Sequence, residues 1–101
     1  MYKIVVNTQA SKDLLIIKLY IKEVLKNPYS AIKICNQIKE AMQSLSFSPE
    51  RFQEINIGRY KVRRMPVGRY NIYYLVDKVT YTVKVIRILF GGKDIEHVAV
   101  S

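Results

Sequence analysis

Between Arg59 and Phe90 polar and apolar side chains alternate with period two, and this run limits the fold more than any other part of the chain. Read as strands, Arg59, Lys61 and Arg63 fall on one face of a sheet. Tyr70, Ile72, Tyr74 and Val76 then oppose Arg69, Asn71 and Tyr73. From Ile55 to Val76 there is no Asp or Glu, so a hairpin of these strands carries a cationic face with an aromatic ring among its charges. Such a surface suits phosphate or an acidic protein partner.

The rest of the chain supplies helices to cover the sheet. Tyr2 to Asn7 reads as a short strand, and Thr8 as the N-cap of a helix from Gln9 to about Lys26. Ala10, Leu14, Ile17, Ile21 and Val24 form its apolar stripe, widened by Leu15, Leu19 and Leu25. Asn27-Pro28 ends it and opens a second helix with Ala31, Ile34, Ile38, Ala41, Met42 and Leu45 on its apolar face. So short a link predicts an antiparallel pair. Ser46 to Gly58 reads as a loop anchored by Phe47 and Phe52. Strands follow over about Arg59–Met65, Gly68–Asp77 and Tyr81–Phe90, the last with Val83, Val85 and Leu89 on one side and Ile86 and Ile88 on the other. If Ile86 and Ile88 face the helices, Arg87 projects to the same side as Arg59, Lys61 and Arg63; the alternative is a charge satisfied by Asp77 or Glu96. The expected fold is α+β, a β-α-α-β-β-β order in which a two-helix antiparallel hairpin packs on one face of a twisted, mostly antiparallel four-stranded sheet.

With 101 residues, 50% of them hydrophobic and 25% charged, residues 1–101 make one domain with its own core. No stretch approaches the roughly 20 apolar residues of a membrane helix, and the opening Tyr2-Lys3-Ile4-Val5-Val6 reads as a strand rather than a signal peptide, so the expected location is the cytoplasm, with no membrane partner. One Cys and one His cannot assemble a zinc-finger site; no metal or cofactor is expected, and Cys35 reads as a small core residue. The formal charge of +9 favours polyanionic partners. Lysines on the helices keep a chain soluble, but Arg59, Lys61, Arg63, Arg64 and Arg69 fall within eleven residues on elements that hold them in fixed geometry.

Several segments together resemble the RelE/ParE superfamily, the toxins of bacterial type II toxin-antitoxin modules. They are Thr8-x-Ala10-x-x-Asp13-Leu14 with Ile17 and Tyr20-Ile21, Asn27-Pro28, Leu45 to Arg51 with Pro49, and Arg63-Arg64-Met65-Pro66-Val67 before Tyr70-x-Ile72-x-Tyr74. The last is Val85-x-Arg87-Ile88-Leu89-Phe90-Gly91-Gly92-Lys93-Asp94-Ile95. The resemblance implies a small toxin, an acidic antitoxin encoded beside it, and one of two targets: DNA gyrase, inhibited by binding, or messenger RNA in the ribosome, cut by an endoribonuclease. A third reading is a toxin fold that keeps only antitoxin or nucleic-acid binding.

The ribonuclease branch must deprotonate a ribose 2′-hydroxyl, stabilise charge on the phosphate and protonate the leaving oxygen. Lys61 and Arg63 match a basic pair that those ribonucleases use. Other positions depart: Asn71 stands where a phosphate-binding Arg is expected, Lys93 replaces the Arg of the Gly-x-Arg segment, and Ala99 takes roughly the place of a C-terminal Tyr. If the chain is a ribonuclease, His97, Lys61 and Arg63 are its candidate catalytic residues, with Tyr73 a candidate for proton transfer or base stacking. Target contact is expected from Arg59, Lys61, Arg63, Arg69, Asn71, Tyr73, Arg87 and Lys93. The antitoxin is expected over Arg59, Lys61 and Arg63. The departures place the chain on the ParE-like, gyrase-binding side.

Overall fold

A computed structural model describes residues 1–93 and Ile95. In chain order it contains β1 (Lys3–Val6), α1 (Thr8–Leu19), a π-helical turn (Tyr20–Val24), α2 (Pro28–Ser44), a 3-10 turn (Pro49–Arg51), β2 (Gln53–Ile57), β3 (Tyr60–Val67), β4 (Tyr70–Asp77) and β5 (Thr82–Phe90). One sheet holds five strands in the order β1-β5-β4-β3-β2. β1 runs parallel to β5 and every other pair is antiparallel. The fold class is the expected one, with one strand more: β2 lies in the segment read as a loop. Its Ile55 and Ile57 alternate with Glu54 and Asn56 and pair with Val62 and Tyr60 of β3.

Two tight turns set the register from β2 to β4. Ile57 pairs with Tyr60 and Val67 with Tyr70, so each loop is a Gly-Arg dipeptide, Gly58-Arg59 or Gly68-Arg69. Both glycines have positive φ, +59° and +58°, the requirement of the first central position of a type II′ hairpin.

The helices begin at asparagines. Asn7, rather than the expected Thr8, caps α1 through its side-chain oxygen, which accepts from the Ala10 N–H at 2.8 Å. Asn27 caps α2 in the same way at Ser30, with Pro28 in the first turn, as expected. Ala10, Ile17 and Ile21 pack with Ala31, Ile38, Met42 and Leu45 of the second helix and its end, over Met65, Ile72, Tyr74, Val83, Val85 and Ile88 of the sheet. Val24, expected in that stripe, is exposed, as are Leu15, Leu19 and Leu25. The π-turn adds a residue to the helical turn and carries the end of the helix off the core-facing phase, with the Leu25 N–H donating to the Tyr20 carbonyl. Phe47 is also exposed, whereas Phe52 packs against the core beneath the Arg51 guanidinium, 4.7 Å from its ring centroid. Cys35 is buried, which pushes its thiol pKa up.

On the opposite face of the sheet Val62, Tyr73, Ile86, Leu89 and Ile95 form a second apolar cluster, flanked by Ile55, Ile57 and Leu75. A bulge explains how β5 serves both faces. Tyr73 pairs with Arg87 but Tyr74 with Val85, so the alternation slips between them. Val83, Val85 and Ile88 therefore face the helices, and Ile86 and Leu89 face away, which corrects the uninterrupted alternation expected for this strand.

At the same place α1 is fastened to the sheet. β1 covers β5 only to Val85, and the chain then turns at Asn7, whose N–H donates to the Val85 carbonyl. Beyond that point Asp13 of α1 takes a strand's place. Its Oδ2 accepts from the Ile88 backbone N–H at 2.9 Å and from Arg87 Nε at 2.7 Å, while Oδ1 accepts from Arg87 Nη2 at 2.9 Å and from Gln9 at 3.2 Å. Asp13 is 6% exposed, and burying a carboxylate is costly unless it is paired and hydrogen-bonded as it is here. Arg87 is thus matched to Asp13 rather than Asp77, and it does not join Arg59, Lys61 and Arg63 on an open side; Glu96, the other partner expected from the sequence, lies outside the described residues.

Two measurements test these anchors. Asp13→Ala leaves the Arg87 charge and the Ile88 N–H without this acceptor and is expected to lower unfolding free energy by about 3–5 kcal/mol in a denaturant titration. Asp13→Asn keeps an acceptor and loses less; equal losses for both would contradict the role given to the Ile88 N–H. The second concerns Tyr74, whose hydroxyl donates to the Pro49 carbonyl at 2.6 Å. Burial raises its pKa from 10.0 to about 12, against the lowering influence of Arg63 and Arg51. The folded state then holds this proton where the unfolded chain has lost it, so stability is intact below pH 10 and falls between pH 10 and 12. Tyr74→Phe should flatten that alkaline slope while reducing stability near neutrality, as followed by thermal unfolding against pH.

Candidate target-binding surface

The cations from Arg59 to Arg69 separate into two groups once the strands are placed. Lys61 and Arg63 share the helix-bearing face of β3 with Met65 and Val67, because side chains alternate along the strand. Arg64 lies on the other face beside Tyr73, its partner in register. Arg59 and Arg69 each sit in a hairpin loop, at opposite ends of β3.

Arg63 is occupied inside the protein. Its Nη1 donates to the carbonyls of Glu50 and Phe52 at 2.9 and 2.8 Å, and Nη2 pairs with Glu54 at 3.3 Å and Glu50 at 3.7 Å. Glu50 also takes Lys78 at 3.0 Å, which raises that lysine's pKa, so one cluster joins the 3-10 turn to β2, β3 and the end of β4. Arg51 completes the corner by donating to the carbonyls of Phe47 and Ser48 in the segment beyond α2. Asp77 shapes the next turn: its Oδ1 accepts from the Thr80 and Val79 N–H groups, bonds that hold its pKa low.

Lys61 is exposed beside Asn56, and Arg59 is exposed one turn away, with Tyr60 half exposed between them. This rim of the β2–β3 hairpin is where cationic side chains expected at the site remain solvent-facing together. Tyr73 is 2% exposed inside the second apolar cluster, so its ring is closed to a stacking base. Asn71 is half-buried on the same face, paired with Leu89 and Pro66. Near it the Gly91 N–H donates to the Arg69 carbonyl at 2.7 Å, and a Cβ on Gly91 would stand 3.1 Å from that oxygen, so the close approach favours glycine. Lys93 is exposed in the turn that follows β5. His97 and Ala99 lie outside the described residues.

The expected constellation is therefore dispersed. Lys61 and Arg63 face one side of the sheet, Asn71 and Tyr73 the other, and Arg87 is held against Asp13. Among the described residues no group of His, Cys, Asp and Glu is placed to hold a metal ion, and no helix is long and apolar enough to cross a membrane. The Asp13–Arg87 clamp and the Arg63 cluster were not legible as pairs, since partners 74 and nine residues apart leave no local signal.

A two-helix hairpin on a mixed five-stranded sheet is a RelE/ParE-like fold. Solved structures share it. The chromosomal ParDE toxin-antitoxin system of P. aeruginosa superposes with a TM-score of 0.74 at 20% identity, covering 89% of this chain and 96% of that one. The RelBE2 toxin-antitoxin complex of Mycobacterium tuberculosis gives 0.67 at 22% identity, over 88% and 96%. The intact RelBE toxin-antitoxin complex of E. coli gives 0.62 at 16%, over 92% and 100%. None of the curated proteins compared matches the chain. The sequence profile of the ParE toxin of type II toxin-antitoxin systems, parDE, matches residues 4–95, and the chain belongs to that toxin family.

The two groups of cations should separate by mutation. Arg63→Ala is expected to cost roughly 1–3 kcal/mol of stability, since the Glu50 and Phe52 carbonyls lose a charged donor. Arg59→Ala and Lys61→Ala should shift stability by less than about 0.5 kcal/mol, as exposed side chains do. Thermal denaturation of the three variants checks this, and a melting temperature lowered as much by Lys61→Ala as by Arg63→Ala would contradict the assignment.

Proposed function

We propose that this toxin arrests growth by binding DNA gyrase in the cytoplasm, not by cutting messenger RNA, and that an acidic antitoxin encoded beside it holds it in check. The observation that carries this reading is that, among the described residues, the candidate groups do not converge, His97 lying outside them. General acid-base cleavage of RNA needs a base, a phosphate-stabilising cation and an acid around one phosphate. Here Lys61 stands alone as an exposed cation on its face of β3, Arg63 is engaged by Glu50 and Glu54, and Tyr73 is buried on the far side. A binding inhibitor needs no such convergence. It needs a rigid, charged projection, and the β2–β3 hairpin with Arg59, Tyr60 and Lys61 at its tip is one. The family profile and the ParDE structure agree with the same side of the superfamily. The net charge of +9 supports an acidic partner, because an oppositely charged segment associates rapidly and specifically with such a surface.

The test is a supercoiling assay with purified gyrase, run beside a translation reaction in which message integrity is followed. Inhibited supercoiling with intact messages is expected. Arg59→Glu with Lys61→Glu should raise the concentration needed for inhibition by at least about tenfold, the effect expected when the charge of an interface is reversed. Cleaved messages with unaffected gyrase would replace this reading with the ribosome-dependent ribonuclease. Neither effect, together with no growth defect on expression alone, would leave a protein that only binds.

A further inference from the structure

A single exposed apolar side chain is commonplace, but it gains meaning where the backbone beneath it is fixed, and the loop between β4 and β5 is such a place. Its polar groups are spent on holding its shape. Asp77 Oδ1 accepts from the Val79 and Thr80 N–H groups at 2.9 and 3.2 Å, the Thr80 and Thr82 hydroxyls bond to each other at 3.1 Å, and Lys78 is tied to Glu50. Tyr81 stands at φ +50°, a left-handed backbone conformation that strains a tyrosine. Its carbonyl accepts from the Lys3 N–H at 2.8 Å and its ring meets that of Tyr2 at 5.4 Å, so the start of β1 braces the loop. What this rigid loop presents outward is nevertheless apolar. Val79 is 90% exposed and Tyr81 59%, and neither belongs to the two apolar clusters of the fold.

The loop has a charged neighbour. β3 begins and β4 ends at the same end of the sheet, and the two strands are adjacent. The Gly58-Arg59 turn and the β4–β5 loop therefore stand side by side, about 10 Å or two strand spacings apart. Lys3, Arg59 and Lys61 are exposed at this end, and Tyr60 with them. The nearby carboxylates are engaged within the protein, Glu50 and Glu54 by Arg63 and Lys78, and Asp77 by its own turn. We infer that the β4–β5 loop is a second contact with the target of the Arg59 and Lys61 rim, in which Val79 and Tyr81 enter an apolar recess of that protein bordered by carboxylates. The inference rests on the gyrase-binding reading and adds to it an apolar anchor on a separate hairpin. A nucleic acid backbone would engage the cations and leave Val79 idle, and a second copy of this chain would set cation against cation. A loop already fixed loses little freedom on docking, and an apolar anchor inside a charged border is the arrangement that carries most binding energy between proteins.

The experiment uses the whole toxin with purified gyrase and relaxed plasmid, and reads the toxin concentration that halves supercoiling at two salt concentrations. Val79→Asp is expected to raise that concentration at least about tenfold. Val79→Ser should raise it less and leave its salt dependence as in the unaltered toxin, because no charge is lost. Tyr81→Asn, which keeps a residue suited to the left-handed backbone while removing the ring, should also weaken inhibition. Melting temperatures are measured beside these; Val79 has almost no packing to lose, so Val79→Ser should melt with the unaltered toxin. Full inhibition by Val79→Asp and Tyr81→Asn, with inhibition weakened in Arg59→Glu with Lys61→Glu, would overturn the anchor while leaving the gyrase reading intact. Absence of inhibition by the unaltered toxin would overturn both. Weakened inhibition in step with a lowered melting temperature would trace the effect to folding and overturn the inference. Retardation of duplex DNA by the toxin alone, lost in Val79→Ser, would assign the loop to nucleic acid and overturn it as well.

Discussion

The carboxylate of Asp13 holds together the two layers of this protein. A strand edge that outruns its neighbour exposes a backbone N–H, and a helix laid over that edge would bury the donor without a partner. Asp13 meets both demands by accepting the Ile88 N–H and neutralising Arg87 in the same contact. The bulge in β5 belongs to the same solution, since it brings Arg87 into reach of α1 while keeping Val85 and Ile88 on the helix-facing core. The position of α1 over β5 and the bulge in that strand meet at this one side chain.

A second polar corner, around Arg63 and Glu50, does for β2 and β3 what Asp13 does for α1. It ties the 3-10 turn to the sheet through charged hydrogen bonds to carbonyls, beside the Tyr74 hydroxyl on Pro49. Between these corners the core is apolar, so specificity of arrangement comes from the rim and stability from the centre. The functional consequence is that most conspicuous arginines of the chain serve the fold. What remains exposed at the β2–β3 tip is the smaller set of Arg59 and Lys61.

Periodicity and local composition made the helix pair, four of the five strands and the cap at Asn27 readable, because each leaves its mark within a few residues. β2 was obscured by its flanks: Glu54 and Asn56 alternate with Ile55 and Ile57, but Ser48-Pro49 and Gly58 suggested a loop. The repeated Gly-Arg-Tyr at 58–60 and 68–70 was the available signal, since a second copy of one hairpin turn implies a strand before it. The slip in β5 could not be read at all, because a bulge is decided by a partner strand and by a carboxylate on a distant helix. For the site, alternation correctly put Lys61 and Arg63 on one face, yet it could not tell which face the helices cover or that Glu50 and Glu54 would engage Arg63.

The pairing of β1 with β5 has a consequence for the birth of the chain. β1 is the first strand to be synthesised and its only neighbour is the last, so nearly the whole sequence separates the two. The β2–β3–β4 meander can close through two short turns as soon as it emerges, but the helix pair has no complete floor until Thr82 to Phe90 follows. Contacts of such long span form late. A nascent chain of this topology therefore stays an unfinished surface until β5 is made, and a single late strand completes the floor under both helices at once.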